Sequence, residues 1–310
     1  MSRRQSWSVD DIPDLTGRRA LVTGVTSGVG EAVVEALARR GAEVLMAARN
    51  EAKLAATVDE VRRDVPGASV RPLILDLADL SSVRRAAEEV SSYGPLDILV
   101  NNAGVMATPY ERTVDGLELQ MATNVFGHFA LTGLLLSRLA EAGKSHGARV
   151  VSVASQGHRM ARRAPLQDPQ AEDGDYSKWM TYAQTKLSNL LFTFELDRRA
   201  RAAGLPIEAL AAHPGFAATG LMASGQRRNA AGRILDAAFG ALGQAPAEGA
   251  LPLLMAATAD LPSTTYVGPS GPGEMRGAPR VVGTTKLARD PEAARQLWDV
   301  AQKATGVIYP

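Results

Sequence analysis

Cysteine is absent from the 310 residues. Its absence excludes disulfides, thiolate metal sites and a cysteine nucleophile, and it fits a reducing cytoplasm, which is the compartment expected. Histidine is scarce: the four, at 128, 146, 158 and 213, stand without metal-ligand spacing, so no metal site is expected. An excess of either charge is lacking too. The 34 Lys and Arg nearly balance the 33 Asp and Glu, for a net +1, and no long basic run offers a nucleic-acid footprint. No uncharged apolar run approaches the roughly 20 residues that a membrane-crossing helix needs. Arg3 and Arg4 in "MSRRQSWSVDDIPDLTG" precede no apolar stretch, so no export signal is read.

What is present is a rhythm. Short β-branched runs, "RALVT" (19–23), "EVLMAA" (43–48), "VRPLILD" (70–76), "LDILV" (96–100), "ARVVSVA" (148–154) and "PIEALAA" (206–212), alternate with amphipathic stretches. The spacing predicts helices at 30–41, 50–63, 79–92, 114–141, about 178–203, 246–258 and 291–303, with a last short strand near 265–267. Such alternation implies right-handed βαβ crossovers and a mainly parallel sheet covered on both faces, a doubly wound α/β fold. No linker interrupts the series, so residues 1–310 are expected to form one domain, with 1–16 as an N-terminal extension. Segment 218–245 falls outside the rhythm and reads as a substrate flap or as an ordinary excursion packed on the core. Residues 268–283 read as loop.

Directly after the first strand stands "TGVTSGVG", 23–30, and then a helix. Gly24, Gly28 and Gly30 allow a tight turn, close backbone approach to a pyrophosphate and close helix–strand packing, while the helix N-terminus supplies N–H donors. The second strand ends in Ala48-Arg49-Asn50, where an NAD site normally carries a carboxylate for the ribose 2′-OH. A guanidinium instead suits a 2′-phosphate, so NADP(H) is expected in preference to NAD(H). The competing reading has Arg49 merely solvating a helix start.

In "TYAQTKLSNLL" (181–191) Tyr182 and Lys186 share one helix face at i, i+4. A hydride delivered to a carbonyl leaves an alkoxide that needs a proton, and an ammonium stabilises the phenolate of a proton-donating tyrosine. A serine aimed at the same oxygen adds a directional hydrogen bond.

The stretches "TGVTSGVG", "LILDL", "NNAG", "TNVFGHF", "VSVAS", "YAQTK" and "HPGFAAT" occur in order. Together they strongly resemble the short-chain dehydrogenase/reductase family, tightly from Gly17 to Thr219, with wording closest to its retinol-dehydrogenase-like branch and that branch's bacterial members. The resemblance implies a Rossmann domain and an NADP(H)-dependent oxidoreductase that interconverts an alcohol and its ketone or aldehyde. It makes Tyr182 the acid/base, Lys186 its partner, Ser155 the holder of the substrate oxygen and Asn124 the anchor of a water relay. It carries dinucleotide contacts to Gly24, Thr26, Ser27, Gly28, Val29 and Gly30. Further contacts fall to Arg49, to Asp76 (adenine amino group) and Leu77, and to Asn102, Ala103 and Gly104. Pro214, Gly215, Phe216 and Thr219 (nicotinamide carboxamide) complete the set with Tyr182 and Lys186.

Several residues carry two readings. Asp76 also reads as a helix N-cap, His213 reads as structural and His128 as packing. The stretch between Ser155 and Tyr182 is longer than is usual in the family, and its Tyr176, Trp179 and Met180 read as the border of a substrate entrance or as part of a solvated excursion. Leu221, Met222 and Phe239 point to a lipophilic small-molecule substrate. The helix 233–243 reads as packed on protein, with lipid contact as the alternative. The family commonly pairs through helices corresponding to 114–141 and 178–203, so a homo-oligomer is possible. Light-driven protochlorophyllide reductases share the wording but use a cysteine, so that activity is discounted. A second class of function, a catalytically silent dinucleotide-sensing protein, would usually lack the Tyr/Lys pair.

Overall fold

Eight strands form one sheet in the order β3-β2-β1-β4-β5-β6-β7-β8. The computed structural model describes residues 6–163, 170–171, 174, 176–216 and 244–309. The strands are β1 (Arg19–Thr23), β2 (Glu43–Ala48), β3 (Val70–Ile74), β4 (Ile98–Asn101), β5 (Ala148–Val153), β6 (Ile207–Ala212), β7 (Tyr266–Pro269) and β8 (Pro279–Val281). All neighbours pair in parallel except β7 with β8. The central strands are buried on both faces, which is why they read as near-continuous apolar runs.

Helices α1 (Val29–Arg39), α2 (Glu51–Asp64) and α7 (Pro246–Thr258) close one face over Val33, Leu37, Leu54 and Leu253. On the other face lie α3 (Leu80–Ser92), α4 (Leu119–Leu134), α5 (Leu136–His146), α6 (Lys178–Ala202) and α8 (Pro291–Thr305). Side chains that accept orphan N–H groups start α2 (Asn50), α3 (Asp79) and α8 (Asp290). Strand order reverses between β1 and β4, and the crevice at their carboxyl ends is where such sheets bind ligands.

The structure corrects three boundaries. The helix expected over 114–141 begins only at Leu119, because Arg112 bridges Glu118 in an antiparallel pair, and it bends by 63° into α5. Residues 268–283 are not simply loop: they hold the end of β7, a 3₁₀ turn at Pro272–Glu274 and β8. Their Gly and Pro content conceals a strand because an edge strand tolerates proline. Asp79, not Asp76, caps α3. The flap segment falls almost wholly outside the described residues, as do Leu221, Met222, Phe239 and the helix at 233–243. No single helix among the described residues is long and apolar enough to cross a membrane.

Candidate active site

The glycine turn takes the shape its residues allow. Gly24 and Gly28 sit at φ +73° and +65°, the left-handed region that glycine enters at no steric cost. A Cβ on Gly24 would stand 2.8 Å from Ala103 Cα, and one on Gly30 would stand 2.3 Å from the Gly24 carbonyl. The turn therefore lies flat against the end of β4, and Val29 opens α1 toward the cleft. Asn102 stitches the two together: its side-chain NH₂ donates to the carbonyls of Thr23 (2.7 Å) and Gly24 (3.2 Å).

A cleft runs from this turn along the carboxyl ends of the strands, past Thr26 and Ser27, with Asp76, Leu77 and Ala103 in its wall. Arg49 is exposed at its far end beside Lys53, and no hydrogen bond or ion pair of Arg49 is found among the described residues. The helix start there belongs to Asn50, whose side chain accepts the Lys53 N–H at 2.9 Å. Arg49 thus has no capping task. Asp76 lines the cleft, its carboxylate accepting the Ala78 N–H at 2.9 Å. Glycines that leave the backbone bare and a helix N-terminus fit the pyrophosphate of a dinucleotide.

A second cleft adjoins the first and shares Val29, Asn102 and Gly104 with it. Into it project Ser155 from the end of β5 and Tyr182 and Lys186 from α6, facing Pro214, Gly215 and Phe216. Lys186 Nζ donates to the Val153 carbonyl at 3.0 Å and stands 5.6 Å from the centre of the Tyr182 ring. Ser155 hydrogen-bonds Tyr182, and its Oγ accepts the Gly157 N–H at 3.0 Å. Burial pushes the Tyr182 phenol up to about 12, the Ser155 hydrogen bond opposing it. Burial also pushes Lys186 down to about 8. The phenol is not lowered as expected: burial raises it, and what opposes the rise is the Ser155 hydrogen bond rather than the ammonium.

Asn124 occupies a π-turn of α4, Ala122–Phe126. Its carboxamide accepts the Val105 N–H (2.8 Å) and donates to the Val105 carbonyl (2.9 Å) and to Thr185 Oγ1 (3.0 Å), fixing the loop after β4. His128, read from the sequence as packing, is hydrogen-bonded at both ring nitrogens. His213 is structural, as read: fully buried, it accepts the Gly215 N–H and contacts Glu274 at 3.2 Å. Tyr176 turns away from the second cleft; its hydroxyl donates to the Thr108 carbonyl and accepts from Gln120. Thr219 lies outside the described residues.

Sequence reasoning missed Lys53, Gln156, Met275 and Glu274. Lys53 had a signal, one helical turn beyond Arg49. Glu274 had none: it reaches Gln156 across 118 residues of sequence, inside a stretch that reads as loop.

A family model described as short chain dehydrogenase matches residues 18–166. Polyprenol dehydrogenase of Mus musculus is 38% identical over 303 residues, covering 95% of this chain and 86% of that protein. Retinol dehydrogenase 13 of Homo sapiens is 33% identical over 302 residues, covering 96% and 87%. A crystal structure of a Mycobacterium paratuberculosis protein superposes with a TM-score of 0.79 at 41% identity, covering 99% of this chain and 100% of that one.

Proposed function

Because the chain belongs to the short-chain dehydrogenase/reductase family, in its retinol-dehydrogenase-like branch, we propose that it is an NADP(H)-preferring oxidoreductase acting through Tyr182, Lys186, Ser155 and Asn124. The family makes it an NAD(P)-dependent oxidoreductase acting on CH–OH groups. The observation that carries the finer reading is continuity: the cleft holding Ser155, Tyr182 and Lys186 opens into the cleft of the glycine turn.

When bound, the nicotinamide supplies or removes the hydride. The chain's own residues handle the oxygen. Ser155 Oγ accepts the Gly157 N–H and keeps its one proton as a donor, which turns from Tyr182 to the substrate oxygen when substrate binds. Tyr182 gives its phenolic proton to that oxygen as hydride reaches the carbon, and takes it back in oxidation. Lys186, pinned on Val153 O, keeps a positive charge at the ring face, where it stabilises the phenolate. Asn124 holds the Val105 loop against Gly104, whose added Cβ would lie 3.1 Å from Asn124 Oδ1 and 3.7 Å from Lys186 Nζ. The second cleft is mostly apolar, with Met106, Phe216 and Met275 in its wall, which supports a lipophilic alcohol or carbonyl.

The test is NADPH consumption over a panel of aldehydes and ketones, comparing wild type with Tyr182→Phe. Losing the proton donor is expected to lower turnover about 10²- to 10⁴-fold. Equal rates would remove Tyr182 from the chemistry. NADPH binding without turnover of any carbonyl would favour a dinucleotide sensor instead.

A further inference from the structure

His128 is buried in α4, just beyond the π-turn. Its Nε2 lies 3.0 Å from Thr23 Oγ1, and its Nδ1 lies 3.3 Å from the Asn124 carbonyl oxygen. Thr23 decides which nitrogen carries the proton. The threonine oxygen already accepts the backbone N–H groups of Asn102 and Ala103, each at 2.9 Å. A hydroxyl has two lone pairs and one proton, so what remains to Thr23 is donation. Two acceptors lie in range, His128 Nε2 at 3.0 Å and the Val100 carbonyl at 3.4 Å, and the ring is the nearer. Nε2 therefore accepts, and Nδ1–H donates to the Asn124 carbonyl. Burial enforces the neutral ring this requires: it pushes the imidazole down to about 3, with the Lys186 charge acting the same way against the Asn124 hydrogen bond.

The connection continues at both ends. Beyond Asn124, the side-chain NH₂ donates to Thr185 Oγ1 at 3.0 Å, and that hydroxyl donates to the Tyr182 carbonyl at 2.8 Å. Before Thr23, Asn102 binds the carbonyls of the glycine turn. The Thr23–His128, Asn102–glycine-turn and Asn124–Thr185 links join separate elements, the end of β1, the loop after β4, α4 and α6, while His128–Asn124 and Thr185–Tyr182 each span one turn inside α4 and α6. In a buried network the loss of one member leaves its neighbours unsatisfied, so shifts of these elements are energetically tied.

We infer that His128 is a positioning residue that couples the dinucleotide cleft to the placement of Tyr182, by joining the Thr23 end of β1 to Asn124 and, through Thr185, to α6. This rests on the reading of the glycine-turn cleft as the dinucleotide site.

Hydrogen exchange by mass spectrometry on the full chain, with and without NADPH, tests it without requiring turnover. In the wild type, NADPH is expected to slow exchange both at 24–30 and at 178–190. His128→Phe keeps the ring volume and removes both polar contacts. NADPH should still protect 24–30, while the response of 178–190 falls by about tenfold, within the ordinary range of coupling between sites. Should that variant fold poorly, His128→Asn, which retains a donor near the Nδ1 position and loses the Thr23 contact, gives the same comparison. Equal protection of 178–190 in wild type and a folded variant overturns the coupling, as does a wild type whose 178–190 segment does not respond. No protection at 24–30 overturns the site reading along with it. A protein that shows the coupled response but reduces no carbonyl refutes the catalytic reading and supports this one.

Discussion

Tyr182 and Lys186 are displaced from their ordinary proton affinities in opposite directions by one cause, removal from water. Their i, i+4 spacing made the pairing legible from the sequence, but burial is a tertiary quantity and no local pattern announces it. The same division holds at the other cleft. Gly24, Gly28 and Gly30 are read directly because a turn of that shape accepts only glycine, whereas the absence of a capping role for Arg49 emerges only once Asn50 is seen to cap α2. A residue with no structural partner among the described residues and a cleft beside it gives a clean prediction. Arg49→Ala should weaken NADPH binding more than NADH binding by about 1.5–3 kcal/mol, the range for hydrogen bonds to charged groups. Fluorescence titration with both dinucleotides measures it. Because Arg49 is exposed, the stability of the fold should not move. An unchanged preference would mean that the 2′-phosphate is held elsewhere.

At the scale of elements, β1, β2 and α1 were readable almost to the residue, since buried parallel strands are continuous apolar runs and helices declare their period. The failures lie where two tertiary partners override local signals. β7 was expected near 265–267, but its end and the antiparallel β8 hide in Gly and Pro, and the bend between α4 and α5 has no proline to mark it. The outer face of α6 is a further case. It is covered not by solvent but by α8, where Trp298 stacks on Phe192 with ring centres 5.7 Å apart and meets Phe129 edge-on at 5.0 Å. The C-terminal tail completes the cover: the Tyr309 hydroxyl donates to the Phe129 carbonyl at 2.6 Å. Trp298 is 1% exposed, so Trp298→Ala should cost about 3–5 kcal/mol, as large aromatic truncations in cores do. Urea unfolding reads this directly. A loss below 1 kcal/mol would show that α8 does not dock on α6 in solution.

For the whole molecule, the buried imidazoles set a response to acid that no single element carries. His128 and His213 are each held down to about 3, in both cases chiefly by burial. His213 also feels the His158 ring and the Arg159 charge and lies 3.2 Å from Glu274, so His128, which makes no ion pair among the described residues, gives the simpler signal. On unfolding, its ring returns to the ordinary value of about 6.5. Between these values the unfolded chain binds a proton that the native chain refuses. Stability is therefore whole above about 6.5, falls as pH drops below it, and stops falling near 3, with a slope of at most about 1.4 kcal/mol per pH unit from this one ring. Carboxylates add slopes of their own, so the measurement is a difference. Urea unfolding of wild type and His128→Gln should show the variant less stable at pH 7, because a shorter-reaching amide replaces a ring satisfied at both nitrogens. That gap should narrow by about 1.4 kcal/mol per unit as pH falls from about 6 to 4, since glutamine has no proton to take up in the unfolded chain. A gap that stays constant over this range would mean that the native ring is already protonated, and the Thr23–His128–Asn124 connection would then have to run with both ring nitrogens as donors.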